Sequence, residues 1–281
     1  MKSVLTIQSQ VAGARVGNSV AVFAIERLGV PAIALPTTLL GRRPDRGAPG
    51  GGPMPATVLT SMIEALEADG ALAQVSHILT GYIALPQHAD VILDVVARVK
   101  DANPGARWVC DPVMGDGFAQ GGGAAFVKPE IVDVIRKRLA PAADVLTPNH
   151  WELETLAGIA LPTMTDVHSA AHAFGKPVIV TSAPSGTGIA TLYVAPTGSW
   201  LVESPRLPDA PKGAGDLFTA LYVGRRALGQ SVVVALEAAV GATHDVIQRS
   251  LLEGGGHLAV IAAQEKLEHP DTWPTAVPYS G

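Results

Sequence analysis

Short β-branched apolar runs alternate along the chain with longer stretches of helical periodicity. The runs Val4–Ile7, Ala32–Pro36, His77–Thr80, Trp108–Asp111, Val145–Thr147 and Val178–Ser182 predict strands. The stretches between them, near Asn18–Leu28, Pro55–Ala68, Pro86–Ala102 and Pro129–Leu139, predict helices. Proline in a first helical turn loses no hydrogen bond, because the N–H it lacks has no partner there. Repeated strand–helix–strand units imply a mostly parallel sheet covered on both faces, a three-layer α/β/α sandwich. After Ser182 the pattern changes. Ile189–Ala195 and Trp200–Ser204, separated by Pro196, Thr197 and Gly198, read as a hairpin at the sheet edge. Helical patterns over Ala214–Leu228, Ser231–Leu252 and Leu258–Glu268 follow.

In such a sheet, ligands bind outside the carboxyl ends of the strands. Polar residues recur at those ends: Ser9 and Gln10, Thr37 and Thr38, Gly81 and Tyr82, Asp111, Asn149, Thr181 and Ser182. One stretch fits neither period. Residues 41–55 hold five Gly, four Pro and three Arg, a composition that predicts no helix or strand interior. Two readings stand for it, a flap over the site and a disordered surface loop.

Composition narrows the class. With 48% hydrophobic and 16% charged residues among 281, one large α/β domain over 1–281 can bury its sheet. The net charge of −5 gives no basic field for nucleic acid or an anionic membrane. No apolar run approaches the roughly 20 residues of a membrane span, and the Val4–Ile7 stretch is too short for a signal-peptide core. A cytoplasmic protein is expected. The one cysteine, Cys110, lies in an apolar run and reads as core. Of the eight histidines, His168 and His172 are four apart on a helical stretch without a third ligand, so a solvated face is favoured over zinc.

The most specific segment is Pro211-Lys212-Gly213-Ala214-Gly215-Asp216-Leu217-Phe218. Its glycines let successive backbone N–H groups turn toward one point, and the start of the following helix adds partial positive charge, so the loop can cradle an anion. Asp216 falls in the first turn, where it can cap the helix or take a proton from a substrate hydroxyl. A base for an alcohol plus donors for a moving phosphoryl group are the requirements of phosphoryl transfer. Lys212 can meet phosphate or solvent. The Walker spacing is absent. A dinucleotide fingerprint is also missing: the nearest string, residues 186–191, precedes a strand rather than a helix.

This segment resembles the anion hole of ribokinase-like kinases, in which the Asp is the general base. Four further segments, in family order, are similar to the pyridoxal kinases: Thr6-Ile7-Gln8-Ser9 with Val16-Gly17-Asn18; Leu79-Thr80-Gly81-Tyr82; Cys110-Asp111-Pro112-Val113-Met114-Gly115-Asp116; and Leu146-Thr147-Pro148-Asn149 with Glu152 and Glu154. The resemblance implies an ATP-dependent kinase that phosphorylates the 5′-hydroxymethyl group of pyridoxal. Asp216 would be the base, with the Gly213, Ala214 and Gly215 amides as anion hole. It implies Ser9, Val16 and Tyr82 at the vitamin, and Asp111, Asn149, Glu152, Thr181, Ser182 and Lys212 at ATP. Asp111, Asp116 and Glu152 would hold Mg²⁺, partly through water, and K⁺ is a further candidate cation. A homodimer is implied as well. Without the resemblance, Asp111 reads as a turn cap, Glu152 as a first-turn helix residue, and Thr181-Ser182 as turn chemistry.

The sequence departs from the family on the substrate side. Gln10 stands where a His is usual, and Arg42-Arg43-Pro44 stands near the usual Asn-His-Thr. Arg42, Arg43 and Arg46 are therefore candidates for ATP phosphate contacts from the flap. The departures keep two alternatives in view: a kinase of another small alcohol such as hydroxymethylpyrimidine, and a weakly active B6-vitamer-binding regulatory protein.

Overall fold

The computed structural model describes residues 2–117, 124–186 and 188–281. The strands are β1 (Ser3–Val11), β2 (Ala32–Leu40), β3 (Gly51–Pro53), β4 (Val75–Thr80), β5 (Arg107–Cys110), β6 (Gly115–Asp116), β7 (Ala124–Ala125), β8 (Val145–Leu146), β9 (Val178–Pro184), β10 (Gly188–Ala195), β11 (Gly198–Pro205) and β12 (Val277–Tyr279). The α-helices are α1 (Asn18–Arg27), α2 (Ala56–Ala68), α3 (Gln87–Ala102), α4 (Pro129–Val134), α5 (Ala140–Ala142), α6 (His150–Ala157), α7 (Met164–His172), α8 (Ala214–Ala227), α9 (Val232–Leu252) and α10 (Gln264–Glu268). A π-helical segment, Ile135–Leu139, joins α4 to α5.

Ten strands form one sheet in the order β12-β11-β10-β9-β8-β5-β4-β1-β2-β3. From β9 across to β2 the neighbours run parallel; β10, β11, β12 and β3 are antiparallel additions at the two edges. Successive side chains on a strand point to opposite faces, and each interior strand splits its apolar residues accordingly. Leu5, Ile78, Trp108 and Val178 face a core shared with α2, α3, α4, α6 and α7. Val4, Leu79, Val109 and Ile179 face a second core built with α1, α8, α9 and α10. The expected mostly parallel three-layer sandwich is this one, and the predicted edge hairpin is β10–β11.

Two expectations need correction. Residues 41–55 are not devoid of regular structure. Pro44–Arg46 forms a 3₁₀ turn, and Gly51–Pro53 pairs antiparallel with Thr38–Leu40. Only an edge tolerates such a strand, because Pro53 cannot donate to a further neighbour. The helical pattern from Leu258 is α-helical only over Gln264–Glu268. The long stretch between β8 and β9 holds two further helices, α6 and α7. Both begin with reciprocal capping boxes, Asn149 with Glu152 and Thr163 with Asp166, and caps of this kind contribute about 1 kcal/mol each.

Cys110 is buried, and burial pushes its thiol up to about 12, as befits a core residue. His168 does not stand on a solvated face. Its Nε2 pairs with Ser199 Oγ at 3.0 Å and its ring packs against Tyr279, tying α7 to the sheet edge. Of the 186–191 string, Thr187 lies outside the described residues, and the positions from Gly188 onward are strand. Among the described residues no helix is long and apolar enough to cross a membrane.

Candidate active site

The carboxyl ends of β1, β4, β5, β8 and β9 converge on the start of α8. Gly213 caps that helix in a left-handed conformation, φ 102°, and a Cβ there would run into the Arg15 carbonyl. Only glycine makes this turn without strain. Gly215 is different, since the space its Cβ would occupy is open. The Gly213–Gly215 backbone thus opens outward at a helix N-terminus, where N–H groups lack intrahelical partners.

Asp216 sits next to this turn. Its Oδ2 accepts the Gly17 N–H at 3.0 Å. Burial raises its pKa to about 6, with the Gly17 bond acting in the opposite direction. None of the ion pairs among the described side chains involves it. Gly17 itself has φ 54° and abuts Ser9 so tightly that a Cβ would strike the Ser9 carbonyl. Ser9 and Val16 therefore lie beside the carboxylate. Tyr82 follows β4, and its carbonyl accepts the Thr37 hydroxyl at 2.7 Å. Because β4 and β2 flank β1, that bond draws Tyr82 toward the end of the same strand as Ser9.

A second group of carboxylates lies deeper. Asp111 is buried, and its pKa is raised well above the ordinary range by burial, then by the charges of Glu152 and Asp216. Thr219, on α8, opposes this by donating its hydroxyl to Asp111 Oδ2 at 3.2 Å; it also meets the Thr147 hydroxyl at 3.3 Å. Glu152 is pushed up to about 8 by burial, although it accepts three backbone N–H groups. These come from Met114 at 2.9 Å, Gly115 at 3.4 Å and Asn149 at 2.9 Å. Glu152 is thus a buried acceptor that locks the 114–115 turn to α6, not a solvated helix residue.

A cleft of about 720 Å³ opens in front of the turn. Lys212, Ala214, Gly215 and Asp116 line it on one side, with Thr181 and Ser182 from the end of β9. Ser182 has φ 58°, a left-handed conformation that costs an ordinary side chain about 1–2 kcal/mol. Lys212 is not simply solvated. It pairs with Asp116 at 2.6 Å and lies 4.8 Å above the Phe126 ring. The Asn149 side chain is also engaged, donating to Gly115 O at 2.9 Å while its oxygen caps α6. Asp111, Asn149, Glu152 and Asp216 do not line the cleft; they lie behind it.

Sequence reasoning left several cleft residues without a role. Val240, Thr243, His244 and Ile247 present one face of α9 to it, and their three- and four-residue spacing was the available signal. Thr219 went unnoticed because nothing in its helix marks a hydroxyl as aimed at Asp111.

A buried carboxylate beside the first turn of a helix whose opening residues, Ala214 and Gly215, line a cleft between strand ends and helices is the equipment of a ribokinase-like phosphotransferase. The comparisons with known proteins agree with that class. The family model described as phosphomethylpyrimidine kinase matches residues 19–261. A pyridoxal kinase PdxY from Rubrobacter xylanophilus is 37% identical over 95% of this chain and 94% of its own length. One from Leifsonia xyli is 36% identical over 95% and 96%. The solved pyridoxal kinase of Leishmania donovani in complex with ADP and pyridoxamine superposes with a TM-score of 0.91, at 27% identity, over 100% of both chains. The chain belongs to the pyridoxal kinases of the ribokinase-like superfamily.

Proposed function

We propose that the chain transfers the γ-phosphoryl group of ATP to the 5′-hydroxymethyl group of pyridoxal, yielding pyridoxal 5′-phosphate and ADP. The observation that carries this reading is the placement of Asp216, an acid raised to about 6 that stands next to the Gly213–Gly215 turn and in none of the ion pairs among the described residues. At neutral pH it is ionised and ready to accept the hydroxyl proton. The amides of Gly213, Ala214 and Gly215 receive the negative charge of the transferring group. Ser9, Val16 and Tyr82 hold the vitamin ring on the Asp216 side. ATP lies in the 720 Å³ cleft, with Thr181, Ser182 and Lys212 toward its phosphates and the α9 face along its base.

Mg²⁺ fits this site. Three carboxylates, Asp111, Glu152 and Asp216, lie close enough for the charges of the latter two to raise the pKa of Asp111, a concentration of like charge that a divalent cation relieves. Among the described residues no group of three or more His, Cys, Asp or Glu could hold a metal unaided, which suits an ion that takes few carboxylates and completes its shell with phosphate oxygens and water. Asp111 would hold it, with Glu152 acting through water because both its oxygens already accept N–H groups. Asp116, committed to Lys212, would sit at the outer edge of the metal and phosphates. When bound, Mg²⁺ neutralises charge on the phosphates. A homodimer, a cytoplasmic setting and activation by K⁺ belong to the same proposal and rest on the family resemblance.

A second acceptor, hydroxymethylpyrimidine, is favoured by the name of the matching family model and by the altered vitamin side, where Gln10 donates to Ser19 Oγ at 3.0 Å. Coupled ADP release over B6 vitamers, hydroxymethylpyrimidine and simple sugars decides the matter. Pyridoxal is expected to give the highest kcat/KM. A higher value for hydroxymethylpyrimidine would reassign the acceptor, and ATP consumption indifferent to every alcohol would remove the kinase reading.

A further inference from the structure

We infer that two arginines of the 41–50 loop, Arg43 and Arg46, are polyphosphate-binding residues for the nucleotide, and that Arg42 beside them is not. The inference rests on ATP being the occupant of the cleft. Arg43 and Arg46 both line the cleft, as do Lys212, Ala214 and Gly215. Arg42 does not; its Nε donates to Ala48 O at 2.9 Å, inside the loop itself.

Each guanidinium is held in place by a protein partner. Arg46 Nη2 donates to Gly256 O at 2.9 Å, which fastens the loop to the segment after α9 on the far side of the cleft. Arg43 is oriented by Asp45, which takes Nε at 2.9 Å and Nη2 at 2.5 Å. The Arg43 partner holds the Asp45 carboxyl below its usual range. A guanidinium carries five donors in a rigid fork, so each arginine keeps further N–H groups after these bonds. The cleft lining holds the cations Arg43, Arg46, Arg206 and Lys212 against the carboxylates Asp116 and Asp209, four against two. Lys212 is partly spent on Asp116 and Arg43 on Asp45, so counting Asp45 the cations lead by four to three. An occupant with several negative charges suits that excess, and the loop arginines are the cations fixed in place by backbone and Asp45 contacts.

The arrangement also explains what replaced the usual polar segment of this loop. The arginines that stand there face the nucleotide cleft, so the loop serves the phosphates.

Isothermal titration of the full chain with adenosine, AMP, ADP and ATP, in the absence of pyridoxal, tests this without relying on turnover. Arg43→Gln and Arg46→Gln are each expected to weaken ATP binding roughly tenfold or more, since a charge-assisted bond to phosphate is lost. The loss should shrink along the series to AMP and vanish for adenosine. Arg46→Lys should fall between, keeping charge but not the fork. Unchanged ATP affinity in both Gln variants would overturn the inference. So would an equal loss for adenosine, which would mean that the loop merely shapes the cleft. Pyridoxal-dependent ADP release by the unaltered chain tests the kinase reading separately.

Discussion

Asp216 and Gly17, 199 residues apart in sequence, meet through a single 3.0 Å hydrogen bond from the Gly17 N–H to the Asp216 carboxylate. The bond links the α8 N-terminus, where the proposed anion-binding amides lie, to the loop between β1 and α1, which abuts Ser9. It fixes one oxygen of Asp216, and in the proposed mechanism the other takes the hydroxyl proton. A base aimed in this way does not have to be reoriented when the alcohol arrives.

The first prediction concerns pH. Asp216 must be ionised to accept a proton, and burial raises its pKa from 3.8 to about 6. kcat/KM for pyridoxal should therefore fall about tenfold per pH unit below about pH 6. The linkage to stability has the opposite sense. A carboxyl whose folded pKa lies above its unfolded value stabilises the fold below pH 3.8, and that contribution is lost as pH rises through about 6. Asp216→Asn, which is never charged, should thus melt at a higher temperature than the unaltered chain at pH 7, by an amount equivalent to about 1–3 kcal/mol. Thermal denaturation at pH 7 and near pH 4 checks the sign, since the advantage should shrink at the lower pH.

Gly213 and Gly215 should separate in mutation. Gly213→Ala forces a Cβ into the Arg15 carbonyl at φ 102°, a strain of order 1–3 kcal/mol or more, so the melting temperature and ATP affinity should fall together. Gly215→Ala meets no atom within 4 Å and improves helix propensity. It should melt no lower than the unaltered chain, yet lose about tenfold or more in kcat, because its methyl enters the space over the amides. Melting curves and steady-state kinetics on the two variants distinguish them.

Thr219→Val removes the hydroxyl that donates to Asp111 Oδ2 and meets Thr147. Leaving a buried carboxylate one donor short should cost about 1–3 kcal/mol. It should also raise the pKa of Asp111 further, since the lost bond opposed the upward shift. The measurements are the melting temperature and the Mg²⁺ concentration giving half-maximal rate, which should rise.

The layered sheet could be read ahead of the structure because its signal is local. β-branched runs and helical periods announced β1, β2, β4, β5, β8, β9 and the β10–β11 hairpin. The turn at Gly213–Gly215 was legible for the same reason, being one short string. What escaped depends on contacts remote in sequence. Glu152 reads as a first-turn helix residue until Met114 and Gly115 arrive at its carboxylate. Gly51–Pro53 reads as loop because its pairing is set by β2, not by its own side chains. His168 reads as solvated because Ser199 and Tyr279 reach it only after β11 and β12 join the edge. Lys212 and Asp116, 96 residues apart, could not be seen as a pair.

The central claim is that Asp216 takes the proton of the alcohol while the amides beside it receive the phosphoryl group. Single-turnover transfer from ATP to pyridoxal by Asp216→Asn, with ATP affinity measured in parallel, addresses it most directly. The account predicts a rate lower by about 10²–10⁴ with ATP affinity within about twofold, since the side chain stands outside the cleft lining. Transfer at the unaltered rate by a folded, ATP-binding Asp216→Asn chain would contradict it.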